Sequence, residues 1–376
     1  MSEQTAAGHQ TFPCNTCGAQ LEFTPGANTL TCPYCGTEQH IKLEAKRVVD
    51  RDWETLAAKP RRPRESVPPN LFVCTQCGAH TESDSWSEHC EFCGAAVVVD
   101  QFDPDLVPPE GVLPFQIERG KAKEALRDWV KSRWFAPNAF KRVSEAEKLT
   151  SAYLPHWTWD ADTLSRYTGQ RGEHYYVTDS KGNRQRRTRW YPAKGTVSRS
   201  FDDVVVPATT HVSRKHLEDL AEDWPTQQAL AFQPEFLAGH RTQRYDVEPE
   251  VGLNEAKLKM DKVIRRDVKR DIGGDEQRIH SVETKYSNIK YKLLLLPVWL
   301  VVYLFAGKSW QVLVSGQTGR VTGERPWSPW KIAFAVLVAL VVAAAVVYLV
   351  YRNSEGGSGT AMGTGMGIFS AAAGIF

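Results

Sequence analysis

All eight cysteines of this 376-residue chain fall into C-x-x-C pairs, and this pattern constrains the fold more than any other feature. The pairs form two copies of one motif: Cys14/Cys17 with Cys32/Cys35, and Cys74/Cys77 with Cys90/Cys93. Fourteen residues separate the two pairs of the first copy, and twelve separate those of the second. Four thiolates at such a spacing favour one tetrahedral Zn²⁺, with Zn–S distances of about 2.3 Å. The sequence therefore predicts two zinc ribbons, at residues 10–45 and 71–100, and two zinc ions.

A glycine follows each pair, at Gly18, Gly36, Gly78 and Gly94. A residue that tolerates positive φ lets the backbone fold back so that two sulfurs reach one ion. The alternative is a pair of disulfide-linked modules, which requires an oxidising compartment. The N-terminal stretch MSEQTAAGHQTFP lacks the basic start and the apolar run of an export signal, which favours zinc. Because four protein ligands leave no open coordination position, the predicted ions are structural.

The charges of the chain are distributed unevenly. Residues 1–100 contain 8 Lys and Arg against 13 Asp and Glu, whereas the remainder contains 38 against 31. No Lys or Arg lies between Phe72 and Val98, and four acidic residues fall in this stretch: Glu82, Asp84, Glu88 and Glu91. Such a surface repels phosphates, whose neutralisation drives binding to duplex DNA. We therefore expect the ribbons to contact protein rather than nucleic acid.

The rest of the chain predicts a β-rich domain between linkers and a membrane anchor. The proline-rich stretches Lys59–Asn70 and Asp103–Pro114 are typical of linkers, which we place at 46–70 and 101–114. Residues 115–330 predict an α+β domain. Within it, IERGKAKEALRDWVKSRWF and NEAKLKMDKVIRRDVKRDI indicate helices, and EHYYVTDSKGNRQRRTRWYP indicates a hairpin. Leu293–Phe305 is apolar but only 13 residues long, too short to span a bilayer, and predicts a buried strand that turns back on itself. The expected fold class is thus multidomain.

Two clusters in the central domain could carry chemistry. Arg184, Arg186, Arg187 and Arg189 lie beside Trp190, and interleaved basic and aromatic residues can hold single-stranded nucleic acid. A solvated hairpin face, or an anionic protein or lipid surface, are the alternatives. His156 lies in the aromatic stretch YLPHWTWDADT, where either core packing or a hydrolytic site could explain it. Neither G-x-S-x-G nor H-E-x-x-H occurs in the sequence, and we expect no enzymatic activity.

Residues 331–352 predict one transmembrane helix. Ile332–Tyr351 holds 20 residues without a charge, about 30 Å as a helix, and Trp327, Trp330, Tyr348 and Tyr351 flank it as interfacial aromatic residues do. Upstream lie Arg320, Arg325 and Lys331, and downstream only Arg352. The positive-inside rule then predicts a single-pass protein of the cell membrane whose N-terminal part is cytoplasmic. The glycine-rich tail, 353–376, is expected outside.

The order of motifs resembles a bacterial family of membrane-anchored zinc-ribbon proteins over nearly the full length. The segments that carry the resemblance are the paired ribbons, LPHWTWDADT, RGEHYYVT, FDDVVVPA, FLAGH, DIGGDEQ, LLLPVWLVVY and SGQTGRVTGERPWS. Members are often labelled as primosomal-protein-like or superfamily-two-helicase-like, or as carrying a transcription-factor-IIB-type zinc ribbon. The resemblance implies zinc at the eight cysteines. It carries no helicase activity over, because the helicase ATPase motifs are absent from this sequence.

Three functions remain open at this point. The first is a non-enzymatic cytoplasmic adaptor, anchored in the lipid bilayer, whose zinc ribbons recruit a protein partner. The second is a nucleic-acid-binding protein of replication or repair, with the arginines near Trp190 as its contact. The third, a hydrolase built around His156, has the least support from the sequence.

Overall fold

Two units make up this computed structural model, residues 1–132 with 139–325 and residues 133–138 with 326–376. The described residues are 9–43, 46–74, 77, 79–99, 102–133, 135–137, 149–178, 180, 182–305, 308–324 and 328–355. The strands are β1 (His9–Gln10), β2 (Glu22–Phe23), β3 (Thr29–Thr31), β4 (Glu38–His40), β5 (Arg51–Asp52), β6 (Asn70–Val73), β7 (His80–Ser83), β8 (Ser85–His89), β9 (Ala96–Val99), β10 (Gly111–Val112), β11 (Thr150–Thr178), β12 (Arg184–Pro207), β13 (Leu230–Ala231), β14 (Arg241–Gln243), β15 (Glu276–Phe305), β16 (Lys308–Ser315) and β17 (Val321–Gly323). The helices are α1 (Trp53–Ala57), α2 (Arg119–Lys131), α3 (Arg214–Ala221), α4 (Pro249–Ile272) and α5 (Pro329–Glu355).

Three long antiparallel strands form the frame of the first unit. β11, of 29 residues, pairs with β12 along one edge and with β15 along the other. The predicted hairpin is confirmed and is much longer than the sequence indicated, because its pairing extends from Thr178 and Arg184 back to His156 and Pro207. The predicted buried strand at Leu293–Phe305 is also confirmed, since it is the end of β15 and folds back onto β16.

Helix α4 covers one face of these strands. Its buried residues recur every three or four positions, as one face of a helix requires: Pro249, Gly252, Leu253, Ala256, Met260, Ile264, Val268 and Ile272. The helix ends at Gly273, whose φ of 66° lies in the left-handed region, as the sequence predicts. Helix α2, the other predicted helix, buries Ala122, Leu126 and Val130.

The opposite end of the sheet holds an apolar core beneath α3. Its buried members come from β11, β15, β16 and α3, and from the segments that flank them: Leu113, Ala152, Leu154, Val212, Leu217, Leu220, Trp224, Leu294, Leu296, Val298 and Leu313. Residues of β15 alternate between this core and the aromatic side chains on the other face of the sheet. The frame is thus a sheet buried on both faces at one end.

At the other end the sheet becomes open on one face. We call the three-stranded part of residues 164–172, 190–198 and 276–285 the arm. Residues 173–178 and 184–189 we call the tip, because β15 starts at Glu276, opposite Gly172, and only two strands continue beyond it. The arm has a helix-side face under α4 and an open face. On the open face Arg166, Thr168 and Lys285 are exposed.

An indole ring joins the two outer strands of the arm. Trp190 of β12 lies over Gly172 of β11, where an added Cβ would stand 2.9 Å from the ring. On the far side of Gly172, the guanidinium of Arg278 in β15 lies 3.8 Å from the centre of the same ring. Gly172 is therefore required because any side chain there would push the indole away from the sheet.

The stretches expected to be linkers add structure to the first unit. In 46–70, β5 pairs with β15, α1 places Trp53 against Trp159 at 5.4 Å between ring centroids, and Leu56 and Val67 are buried. In 101–114, β10 pairs in parallel with β15 and with β13 on its other side. The proline content predicts the irregular backbone, but the interspersed apolar residues bury themselves against the sheet.

The two cysteine-containing modules, around residues 12–41 and 70–99, also pack against the sheet. In the first, the Phe23 N–H donates to the Ala238 carbonyl at 2.9 Å, and the Phe23 and Phe236 rings meet at 5.4 Å. In the second, β8 pairs with β14, and the Ser87 hydroxyl donates to the His240 carbonyl at 2.7 Å. Both modules are parts of the first unit rather than separately moving heads.

The second unit contains α5. The stretch Pro329–Arg352 is long and apolar enough to cross a membrane, and none of it is buried inside the protein. Around its start the Ser328 N–H donates to the Phe135 carbonyl at 2.9 Å and the Lys331 ammonium to the Ala136 carbonyl at 2.7 Å. Large apolar side chains such as Leu340 and Val347 are exposed around the helix.

Two glycine substitutions test the arm. At Gly169, which lies at a register shift between β11 and β15, an added Cβ would stand 2.3 Å from the Arg278 carbonyl oxygen. We expect Gly169→Ala to lower the free energy of unfolding of the first unit by about 1–3 kcal/mol, because the backbone has to move. The matched Gly120→Ala in α2 meets no atom within 4 Å and should be neutral or stabilise by up to about 1 kcal/mol. Denaturant unfolding of the full chain measures both, and equal stabilities of the two variants would contradict the arm geometry.

Candidate metal centres and charged surfaces

The eight cysteines form two tetra-cysteine groups that are positioned to bind metal ions. Within each group all four sulfurs lie within 4.8 Å of one another. The shortest separations are 3.5 Å for Cys14–Cys35 and Cys17–Cys32, 3.4 Å for Cys74–Cys93 and 3.7 Å for Cys77–Cys90. Sulfurs placed tetrahedrally around Zn²⁺ stand about 3.8 Å apart, whereas a disulfide bond measures about 2.05 Å. The arrangement fits four ligands of one ion and not two disulfides.

The first cysteine of each C-x-x-C pair makes the same backbone hydrogen bond. The amide of the first cysteine donates to the carbonyl five residues on, from Cys14 to Ala19, Cys32 to Thr37, Cys74 to Ala79 and Cys90 to Ala95, at 2.6–2.9 Å. Gly18, Gly36 and Gly94 have φ angles of 75°, 73° and 77°, which confirms the predicted role of these glycines. Gly78 lies outside the described residues.

Electrostatics indicates that the first group needs a cation. Backbone N–H groups of Cys17 and Thr16 lower the pKa of Cys14 to about 6. The Ala19 N–H likewise lowers the pKa of Cys17, but the neighbouring sulfurs of Cys35 and Cys32 outweigh it and raise that pKa to about 12. Four thiolates at this distance repel one another, so they ionise together only around a positive charge. A metal ion held by the four sulfurs would supply it.

Each module also exposes an aromatic ring at the same place. Tyr34 and Phe92 occupy the third position of the second C-x-x-C pair of their module, in CPYC and CEFC. Their exposed fractions are 78% and 73%, high for large apolar side chains. Aligning the two copies places both rings at one position, a signal that the sequence contains although neither ring is a metal ligand or a charge.

The acidic second module is partly neutralised by the central sheet. Asp84 accepts from the Arg244 guanidinium at 2.6 Å and lies 3.3 Å from that of Arg64. Burial alone would raise the pKa of Asp84, but these two guanidinium groups outweigh it and hold the pKa below its usual range. Arg244 is itself almost fully buried, so this contact also fixes the second module on the sheet.

The structure divides the candidate arginines between two faces. Residues directly opposite in an antiparallel pair lie on the same face, and Arg187 and Arg189 are opposite Tyr175 and Glu173. These two arginines therefore lie on the helix-side face, beyond the end of α4. Arg184 and Arg186 belong to the open face. The sequence brings four cations together along the chain, whereas the strand separates them into two pairs.

The aromatic rings near these arginines already have cationic partners. Arg184 lies over Tyr176 at 5.0 Å and Arg189 over Tyr175 at 5.1 Å. Trp190 holds Arg278, as described above. A nucleobase that stacked on any of these rings would have to displace a guanidinium.

His156 lies in the interior of the sheet. It is fully buried, its Nδ1 is 2.9 Å from the Leu154 carbonyl oxygen, and its ring meets that of Trp224 at 5.0 Å. Burial lowers the pKa of His156 to about 4, so the ring is neutral near pH 7. The surroundings match the core-packing interpretation.

A group of three carboxylates that the sequence analysis missed lies at the base of the arm. Asp50, Asp160 and Asp203 have side-chain oxygens within 4.8 Å of one another. The Lys292 ammonium is 2.5 Å from Asp50 and from Asp203, so a cation already lies among them. Asp50 and Lys292 are 242 positions apart, and only strand pairing brings them together. The arrangement is that of a half-buried ion network around the buried Lys292.

Comparison with known proteins gives one clear relative. The chain is similar to the "Uncharacterized protein YdjG" of Bacillus subtilis (strain 168), at 27% identity over 327 residues that cover 86% of this chain and 92% of that protein. No model of a known protein family and no solved structure matches the chain. The name of the relative states no activity.

The carboxylate group predicts a pH dependence. Burial raises the pKa of Asp160 from its ordinary 3.8 to about 6, although an N–H of Asp203 opposes the shift. Between pH 3.8 and about 6 the Asp160 carboxyl keeps its proton in the folded protein but loses it in the unfolded chain. The contribution of Asp160 to stability is therefore complete below pH 3.8 and is lost as the pH rises through 6. Asp160→Asn keeps an oxygen for the Asp203 N–H and should remove this loss.

The measurement is the unfolding midpoint of the full chain between pH 4 and 7. We expect the difference between Asp160→Asn and the unsubstituted protein to grow with pH over this window. Asp162→Asn, two residues along the strand, is the control, because hydrogen bonds from Ser200 and Asn288 lower the pKa of Asp162. Parallel pH profiles for Asp160→Asn and the unsubstituted chain would contradict the assignment.

Proposed function

We propose that this protein is a non-enzymatic scaffold that the C-terminal helix anchors in the cell membrane, and that it recruits a cytoplasmic protein through its two cysteine modules. Each module is a zinc ribbon with one structural Zn²⁺. The large first unit faces the cytoplasm, in line with the excess of cations before α5 and with the reducing conditions that thiolate ligands need.

The exposed rings of Tyr34 and Phe92 are the observation that carries this proposal. Aromatic side chains dominate the binding energy of protein interfaces because one rigid ring buries a large area at a low entropic cost. Here two rings stand at matching positions of two metal-bound turns, and neither is covered by the rest of the described chain. The metal ion fixes the turn beneath each ring, so that little order has to be gained on binding.

The packing of the modules determines how they would meet a partner. Flexible linkers would let each ribbon search independently, whereas here both ribbons are held on one sheet by the contacts of Phe23 and Ser87. The distance between the two ribbons is therefore fixed before a partner binds. A partner that carries two pockets at the matching distance gains from both contacts at once.

Nucleic-acid binding remains the second candidate, favoured by the four cations of the tip. Its weakness is geometric, since Arg184 and Arg189 lie on opposite faces and each already covers a tyrosine ring. A single strand tracks one face of a binding surface. Binding of an oligo-deoxythymidine that falls steeply with salt would support this candidate.

The metal content of the full chain tests the zinc assignment. We expect two zinc ions per chain, and one after Cys17→Ser with Cys35→Ser or after Cys77→Ser with Cys93→Ser, because three or four ligands are needed to retain an ion. Atomic emission on protein purified without chelator measures the ratio of zinc to sulfur. A metal-free chain that contains disulfides would disprove the assignment.

Site-specific photo-crosslinking in intact cells tests recruitment. A photoreactive residue at position 34 and one at position 92 should each crosslink to the same cytoplasmic protein. Tyr34→Ala with Phe92→Ala should weaken binding of that purified partner by about 30-fold or more, the loss typical of an aromatic hot spot. Tyr176→Ala, which removes an exposed ring from the tip, is the matched control and should leave the affinity unchanged. Crosslinks to different proteins, or none, would refute the proposal.

A further inference from the structure

The tip of the long hairpin projects beyond all of its supports. Helix α4 ends at Ile272 and β15 starts at Glu276, opposite Gly172, so that residues 173–178 pair only with residues 184–189. Six residues of extended strand reach about 20 Å past that point. At the base of this segment His174 contacts Asp275 and Glu276, and the Thr188 hydroxyl donates to Glu276. From Tyr175 to Arg187 both faces are uncovered within the described part of the chain.

The composition of the tip is unusual for an uncovered hairpin. Tyr175, Tyr176 and Val177 expose 37%, 60% and 37% of their surfaces, in three consecutive positions. Four arginines and one glutamate, Glu173, accompany them, which gives the described tip a net charge of +3. A two-stranded hairpin has no second layer against which apolar side chains can be buried, and isolated hairpins are only marginally stable in water. The apolar side chains of the tip are available to an external surface.

Each face of the tip presents one tyrosine and two arginines. The helix-side face presents Tyr175, Val177, Arg187 and Arg189, and the open face presents Tyr176, Arg184 and Arg186. On each face one guanidinium covers one tyrosine ring, at 5.0 Å and 5.1 Å. A flat protein surface or a nucleic-acid strand contacts one face of a hairpin. Only a medium that surrounds the tip uses both faces equally.

The bilayer interface is such a medium. Tyrosine rings favour the level of the headgroups, and arginine side chains place their apolar stems there while their guanidinium groups bind phosphate in bidentate fashion. The interfacial layer is about 5–8 Å thick on each side of the bilayer. The tip is longer than this and is therefore long enough to enter the layer while the rest of the first unit stays in water. Four cations attract an anionic leaflet, and the ring–guanidinium pairs are already assembled before contact.

We propose that the tip, residues 173–178 and 184–189, enters the headgroup layer of an anionic phospholipid bilayer. The plane of its two strands is perpendicular to the bilayer surface, so that both faces contact lipid. This membrane contact is separate from the helix anchor and from the docking of a partner at Tyr34 and Phe92. It gives the first unit a second attachment, whose strength depends on the lipid charge.

Vesicle binding tests this proposal on the full chain. The protein is placed in phosphatidylcholine nanodiscs, which occupy α5, and is then offered vesicles with or without phosphatidylglycerol. We expect co-sedimentation with the anionic vesicles only, and weaker binding at high salt. Arg184→Gln with Arg186→Gln, and Arg187→Gln with Arg189→Gln, should each weaken binding by about 30-fold, roughly fivefold for each cation.

The comparison of the two faces decides the outcome. Equal losses from the two arginine pairs support insertion, whereas a loss from one pair alone means a one-sided partner and overturns it. Arg166→Gln with Lys194→Gln removes two cations from the open face of the arm, below the tip, and should leave vesicle binding nearly unchanged. Tyr175→Ser with Tyr176→Ser should weaken binding even at high salt, because the lost contribution is apolar.

Two further results would also overturn the proposal. The first is an absence of co-sedimentation with anionic vesicles at low salt. The second is tighter binding of an oligo-deoxythymidine than of vesicles, which would assign the tip to nucleic acid. Tyr34→Ala with Phe92→Ala should not change vesicle binding. This variant therefore separates a failure of partner docking from a failure of lipid contact.

Discussion

The pairing of β11 along both of its edges is the interaction on which the rest of the structure depends. Its antiparallel ladders with β12 and β15 create the faces on which everything else packs, and the ladder with β15 joins residues more than a hundred positions apart. At one end these faces are covered by α3 and by aromatic side chains. Towards the other end of the sheet the cover of α4 stops at Ile272, and β15 reaches only as far as Glu276. Beyond these residues the sheet narrows to an exposed hairpin. Burial decreases along one continuous element, from the core to the tip.

The cysteine modules rely on two sources of stability that reinforce each other. Modules of this size bury too little apolar surface to fold alone, and four close sulfurs repel one another unless a cation holds them. The structure adds a second source, because Phe23 and the strand that contains Ser87 attach the modules to the central sheet. The four sulfurs of each module are placed to share one metal ion, which would organise the turn locally, and the sheet sets where the turns point.

Local patterns predicted local structure well. Residues near one another in the sequence were enough to predict the cysteine groups, the glycines that end α4, the buried strand at Leu293–Phe305 and the apolar helix α5. Non-local pairing escaped prediction. Proline indicated linkers at 46–70 and 101–114, but Arg51, Val112 and their neighbours form strands because β15 offers them partners that are distant in the sequence, Tyr291 for Arg51 and Leu295 for Val112. The carboxylates around Lys292 were hidden for the same reason, and the division of the arginines required the strand register.

The contact of Trp190 with Arg278 across Gly172 has a mechanical consequence. In an ordinary three-stranded ribbon the two outer strands contact only the middle strand. Each outer strand can then slide slightly against the middle strand. Here a side chain of the first outer strand touches a side chain of the other, directly above the last residue pair of the arm. Sliding would separate this contact, so the ribbon resists shear at the point where it loses its third strand. A force applied to the hairpin end is therefore passed to β12 and β15 together, and the ribbon bends as one plate.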